Sequence, residues 1–293
     1  MKYSYFPGCA MEATGIEYHK SLEYVNHTAG FEFLEIKDWN CCGATAGHSM
    51  SHELGLALPA RNVALSEQQY PNMPIVVPCA SCYSRMKYAV HAAREGEQEK
   101  LSRLIEMPIQ GSVDIVSILE AYTAPDAVEA IKAKIKQPLT GLKVACYYGC
   151  LYTRPPKITE MDNRKNPTIM EELMSLTGAE CIEWAFKSEC CGASHHVDLP
   201  TECKPLLYKI FKNARASGAQ ALITACPMCM MNLDMRQGAV NMAFGEDFDI
   251  PVYFLTELLA VAMGASFKEC GVNTHFHPAK KLLKDLMSKK EVV

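Results

Sequence analysis

The chain has 293 residues, 49% of them hydrophobic and 21% charged, with a formal net charge of −4. That length allows one large domain or two ordinary ones with a sizeable core, and the apolar half of the composition excludes a disordered chain. The acidic balance argues against a nucleic-acid binder, and no apolar run of roughly 18 residues is present to span a bilayer; the longest candidate, Val252 to Ala265, is short and carries Thr256 and Glu257.

Met1 to Cys9 lacks the apolar stretch of a secretory signal, which predicts a cytoplasmic protein. Tyr3 to Phe6 reads as a first strand running towards Cys9. Phe31 to Ile36 reads as a second, ahead of Cys41-Cys42-Gly43. Ile75 to Val77 is a third, leading directly into Cys79-Ala80-Ser81-Cys82. Lys132 to Gly141 is rich in Lys, Gln, Pro and Gly and reads as a join, so the expected domains are 1–140 and 141–293. The pattern then begins again. Val144 to Tyr148 precedes Cys150, Cys181 to Trp184 precedes Cys190-Cys191-Gly192, and Ala221 to Thr224 precedes Cys226-Pro227-Met228-Cys229. Between the last two lies a helical stretch, Cys203 to Ala216. Pro205 sits near its start, and Leu206, Ile210 and Ala214 recur at four-residue spacing. Strands alternating with helices predict an α/β fold: two pseudo-symmetric domains, each a small parallel sheet with flanking helices.

Ten of the fourteen cysteines fall into these two sets of identical grammar, with offsets between equivalent cysteines of 141, 149 and 147 residues. A duplicated domain explains order kept while loop lengths drift. In a reducing compartment so many thiols point to metal or redox chemistry, and thiols that follow strands converge at the carboxyl edge of a parallel sheet, where ligands bind. The glycine after each Cys-Cys pair permits the backbone geometry that adjacent ligands need. Each half offers five thiols, one more than a structural zinc ion or a cubane iron–sulfur cluster takes. Five suit a multi-iron cluster in an expanded arrangement, with zinc and one spare cysteine as the alternative.

The pattern Cys-x31-Cys-Cys-Gly-x35-Cys-x2-Cys, then Cys-x39-Cys-Cys-Gly-x33-Cys-x2-Cys, resembles the duplicated CCG-domain family of the B-type iron–sulfur subunits of CoB–CoM heterodisulfide reductase, over nearly the whole chain. The resemblance implies two non-cubane [4Fe-4S] clusters facing a disulfide substrate. The first is held by Cys9, Cys41, Cys42, Cys79 and Cys82, the second by Cys150, Cys190, Cys191, Cys226 and Cys229. It implies reduction of CoM-S-S-CoB in methanogens. It also implies partners: a ferredoxin-like cubane-cluster protein (the C component of such complexes), a flavin-bearing iron–sulfur protein (the A component), and a hydrogenase or formate dehydrogenase upstream. The same domain occurs in thiol-driven fumarate reductases, succinate dehydrogenase anchor-like subunits and glycolate or lactate oxidase components. Another disulfide or a protein thiol as substrate, or an electron-relay role in a dehydrogenase complex, are therefore alternative readings. The chain has no G-x-G-x-x-G, Walker or C-x2-C-x2-C-x3-C-P sequence, which leaves electron delivery to partners.

Among the remaining candidates, His195 and His196 follow the second Cys-Cys-Gly, and His48 follows the first. A histidine there could protonate a departing thiolate, and His195 is the catalytic candidate. Arg85, Arg154 and Lys157 lie near ligand cysteines and would suit an anionic thiol. Cys146 and Cys181 read as buried thiols and Cys203 as a helix-face packing residue. Cys270 with His275 and His277 lacks a fourth ligand for a metal clip and reads instead as a docking tail.

Overall fold

A computed structural model describes residues 1–195 and 198–288, so His196 lies outside the described residues. Eight strands among them form two four-stranded, all-parallel sheets. The first contains β1 (Lys2–Tyr5), β2 (Glu32–Glu35), β3 (Ile75–Val77) and β4 (Ile115–Ser117) in the order β2-β1-β3-β4. The second contains β5 (Lys143–Cys146), β6 (Glu180–Cys181), β7 (Ala221–Thr224) and β8 (Val252–Phe254) in the matching order β6-β5-β7-β8. Two sheets of one topology confirm the duplicated α/β fold. The central strands β3 and β7 are buried along their whole length, as continuous apolar runs covered on both faces should be.

The helices that position the site are α1 (Ile16–Ala29), α2 (His52–Gln69), α3 (Ala80–Ala92) and α4 (Ile118–Thr123) in the first half. Their counterparts are α5 (Ile169–Leu176), α6 (Pro200–Ala216), α7 (Pro227–Phe244) and α8 (Leu255–Ala262). The last strand of each sheet runs straight into a helix, and in both halves a glutamate three residues along accepts from the strand-end backbone. Ser117 N–H donates to Glu120 at 2.7 Å and Phe254 N–H to Glu257 at 2.8 Å.

The halves join by a reciprocal exchange. A helix between the first two strands of each packs on the helix that leaves the last strand of the other, α1 on α8 and α5 on α4. Tyr18 of α1 stacks on Phe254 with ring centroids 4.1 Å apart, and Ser21 and Thr256 hydroxyls meet at 2.6 Å. The tail from Ser266 to Ala279 straps this seam. Asp234 of α7 accepts the Phe276 and His277 N–H groups at 2.7 and 3.0 Å, and buried His275 pairs with buried Glu257 at 2.7 Å. The join between the halves docks on the second one: Lys136 and Gln137 N–H groups both donate to the Ala262 carbonyl at 2.8 Å.

Candidate metal centre

The ten cysteines of the two sets form two cradles at the carboxyl ends of the strands. Cys9 and Cys150 lie beyond β1 and β5, and the Cys-Cys-Gly turns lie beyond β2 and β6. Cys79 and Cys226 are the N-cap residues of α3 and α7, which places Cys82 and Cys229 in the first helical turns. A helix N-terminus favours thiolate over thiol. All five sulfur residues of the first set line one cavity of about 40 Å3, and all five of the second line another of about 30 Å3. Ser81 and Met228, each two residues past the first cysteine of its Cys-x2-Cys, line both cavities and form the wall between them.

Within the cradles Cys42 and Cys82 are 3.1 Å apart, Cys9 and Cys41 3.6 Å, Cys191 and Cys229 3.7 Å, and Cys150 and Cys190 3.8 Å. Two thiolates on one tetrahedral metal at ~2.3 Å sit ~3.8 Å apart, so three of these pairs have the spacing of sulfurs sharing a metal. The thiols share protons unequally. The neighbouring Cys41 and Cys82 thiols hold the Cys42 thiol well below its ordinary pKa, and Cys229 and Cys79 do the same for Cys226. The Cys150 hydrogen bond brings Cys190 down to about 6, with the Gly192 N–H and Arg154 assisting. Cys79 and Cys226 shift each other's proton affinity across the boundary between the halves, and Ser81 and Met228 are shared by both cavities, so the cradles touch.

Glycines make room for the sulfurs. Gly8 and Gly149, just before Cys9 and Cys150, have φ of +75° and +67°. An added Cβ would lie 3.2 Å from the Cys82 sulfur and 2.9 Å from the Cys229 sulfur respectively. Gly43 and Gly192 also have positive φ, as expected after the Cys-Cys pairs. Cys203 packs under Gly192 and donates to its carbonyl at 3.1 Å, a more specific place than a general helix-face position. Asn62 and Asn232 do not stand out in the sequence, yet they hold the ligand turns: Asn62 pairs with Asn40 next to Cys41, and Asn232 donates to the Cys191 carbonyl at 2.7 Å.

The backbone carbonyls just before the two Cys-x2-Cys segments meet at the centre of the molecule. Tyr18 and Tyr152 hydroxyls each approach both Pro78 O and Ala225 O, at 3.2 and 3.1 Å for Tyr18 and at 2.7 and 3.0 Å for Tyr152. A hydroxyl carries one proton, so two donors serve two acceptors in a fully buried square.

The other candidates divide. Arg85 and Arg154 stand near enough to the cradles to favour the Cys42 and Cys190 thiolates, whereas among the described residues no hydrogen bond or ion pair links Lys157 to a cysteine. His195 is exposed, pairs with Asp198 at 3.4 Å, and does not line the cavity beside it. His48 sits exposed in the short helix Gly47–Met50. Cys270, His275 and His277 have separate partners: Ser266 O, Glu257 and Asp249. Among the described residues, no three cysteine, histidine or carboxylate groups converge as chelators of one ion. Five sulfurs around a cavity, rather than around a point, fit a multi-iron cluster better than a zinc ion.

A duplicated parallel α/β fold whose two five-thiol cradles touch defines a class of cysteine-rich redox domain. Residues 3–87 and again 144–234 match the family model of the cysteine-rich CCG domain, and the chain belongs to that family. It is 32% identical, over 96% of its length and 99% of the relative's, to the 8-methylmenaquinol:fumarate reductase membrane anchor subunit of Wolinella succinogenes. It is 30% identical, over 92% of each chain, to the B subunit of the ferredoxin/F420H2-dependent CoB–CoM heterodisulfide reductase of Methanosarcina acetivorans. A hypothetical protein of Helicobacter pylori shares the fold with a TM-score of 0.71 at 13% identity, over 94% of this chain and 52% of that one. Among the described residues no helix is long and apolar enough to cross a membrane.

Proposed function

We propose that this chain is the disulfide-reducing component of a heterodisulfide-reductase-type complex, with the mixed disulfide of coenzyme M and coenzyme B as its first candidate substrate. The observation that carries the reading is the contact between two complete five-thiol cradles through Ser81, Met228, Cys79 and Cys226. Reduction of a disulfide needs two electrons and leaves two sulfurs to be captured, which a pair of adjacent one-electron sites can serve. Two non-cubane [4Fe-4S] clusters, held by the ten cysteines, would supply those electrons and an iron position for each sulfur. The chain's own residues do the rest. Buried Cys42, Cys79, Cys82, Cys191, Cys226 and Cys229 anchor the inner sides of the cradles, while exposed Cys9, Cys41 and Cys190 form outer rims open to a substrate. A disulfide reaching both sites lies across Ser81 and Met228, with Arg85 and Arg154 nearby to meet anionic groups. Partners with conventional clusters and flavin would deliver the electrons from the cytoplasm, and His195 would be the proton donor on the outer side of the second rim.

The relative named as a fumarate reductase membrane anchor subunit supports a second reading, in which the same cradles pass electrons within a fumarate reductase complex. The test is anaerobic purification with natural partners, followed by iron and sulfide analysis and two assays. About eight irons per chain together with thiol release from CoM-S-S-CoB meets the first reading. Fumarate reduction by the complex with no thiol release meets the second, and stoichiometric zinc without labile sulfide rejects both.

A further inference from the structure

Two of the four cysteines outside the cradles stand together. Cys146 ends β5 and Cys181 ends β6. Cys181 is in register with Val144, and residues two apart on a strand share a face, so Cys146 and Cys181 project from the same side of the sheet. Each thiol stands close enough to shift the other's proton affinity. Cys146 is fully buried and Cys181 half-buried, so only one of the pair is open to an incoming molecule. Beside them Lys187, nearly inaccessible, places its Nζ 2.7 Å from the Glu171 carboxylate, and Tyr148 donates to the same carboxylate. The Cys181 sulfur lies 3.7 Å from the Glu171 carbonyl. The neighbouring Cys146 lowers the Cys181 pKa and the Lys187 ammonium assists, against burial and the Glu171 carboxylate, while burial raises the pKa of Cys146. An accessible thiol of lowered pKa next to a buried thiol of raised pKa is the arrangement of an attacking and a resolving cysteine. Neither lines a cradle cavity.

We propose that Cys181 and Cys146 form a separate, metal-free redox site that accepts small-molecule disulfides. The Cys181 thiolate attacks one sulfur of the incoming disulfide, making a mixed disulfide and expelling the other half as a thiolate, which takes a proton from water. Cys146 then gives its proton to solvent and attacks the Cys181 sulfur, closing the Cys146–Cys181 bond and releasing the second half as a thiol. The dithiol loses two electrons and two protons, and the small disulfide gains them as two thiols. Closure requires a Cα separation of roughly 4.4–6.8 Å. The edge strand can yield to reach it, because its ladder ends one hydrogen bond beyond Cys181, at Ile182 N–H to Val144 O. Excess small thiol reverses both steps.

The test uses the full chain, prepared anaerobically with its metal content and reduced. It is incubated with oxidised glutathione, quenched, alkylated, digested and analysed by mass spectrometry, with iron measured on the same samples. The expected products are a Cys146–Cys181 linked peptide that disappears on adding thiol, and a glutathione adduct at Cys181 in Cys146→Ser. Without oxidant, Cys181 should alkylate about tenfold faster than Cys203 or Cys270. An unmodified Cys181 in the unsubstituted protein overturns the proposal, as does linkage that forms only after iron is lost. A Cys146 adduct at undiminished rate in Cys181→Ala overturns the order of attack. Because the linked peptide is scored whatever the metal content, failure of the cluster reading and failure of this one give different results.

Discussion

Gly149→Ala tests the cradle at its tightest point. The new Cβ would sit 2.9 Å from the Cys229 sulfur, inside any ordinary contact, on a backbone held at φ +67°. The left-handed conformation alone costs about 1–2 kcal/mol for a residue with a Cβ. At about 2–4 °C of Tm per kcal/mol for a chain of this size, that strain lowers the melting temperature by roughly 2–8 °C. The second effect is local. Cys229 is fixed in the first turn of α7, 3.7 Å from Cys191, so its sulfur cannot retreat without leaving its partner. The variant should fold, keep the first cradle, and bind about half the iron and sulfide of the unsubstituted protein. Gly8→Ala gives an internal comparison: the same strain, but a contact of 3.2 Å with Cys82, and hence a smaller loss at the first cradle. Iron and labile sulfide per chain, with a thermal melt on each variant, are the measurements. A Gly149→Ala protein with full iron, or one that loses iron equally from both cradles, would refute the reasoning.

Cys42→Ser should remove metal from the first cradle and leave about half the iron; heterodisulfide reduction at undiminished rate by that variant would reject paired electron delivery. Tyr18→Phe and Tyr152→Phe each leave a central carbonyl short of a donor and should cost about 1–3 kcal/mol in urea unfolding. Because both hydroxyls reach both carbonyls, a double-mutant cycle should show a coupling energy of at least about 0.5 kcal/mol. Burial would lower the His275 pKa, but the Glu257 carboxylate, aided by Asp234 and Glu17, carries it up to about 9. A pKa raised on folding gives stability that is complete below the unfolded value of about 6.5 and fades as pH rises through about 9. Melts from pH 6 to 10 should therefore show Tm falling across that window. His275→Gln should abolish the slope and cost about 3–5 kcal/mol by leaving Glu257 unpaired.

Six of the eight strands are legible as apolar or β-branched runs before cysteines, and the two that are not share a cause. β4 is three residues long after polar Gly111, Ser112 and Asp114, and β8 passes without a loop into buried α8. Val252 to Ala265 therefore reads as one apolar run, in which periodicity cannot separate a short strand from the helix it feeds. The Cys181 to Trp184 strand is shorter in the structure, Glu180–Cys181, because Trp184 turns its indole back to donate to the Cys146 carbonyl at 3.0 Å. The cysteine sets stand out because cysteine is rare and the repeat doubles its signal. Gly8 and Gly149 carry a readable signal too, a glycine before the first cysteine in both halves. Tyr18 and Tyr152 carry none: they meet the same two carbonyls from positions that do not correspond in the two repeats, nine residues after Cys9 and two after Cys150. Only the folded chain relates them.

The reciprocal exchange of α1, α4, α5 and α8 is the arrangement two copies of a half-length chain would make about a two-fold axis, each patch meeting its own counterpart. In such a dimer a residue facing its own copy across the axis has no freedom to differ from it. Joining the copies into one polypeptide lifts that restriction, and the wall between the cavities shows it: one side carries Ser81, small and able to hydrogen-bond, and the other Met228, long, apolar and polarizable. Both residues line both cavities, so each cavity is faced by one hydroxyl and one thioether. The two sites look alike in their ligands, yet the wall they share is built from two unlike side chains and has no two-fold symmetry.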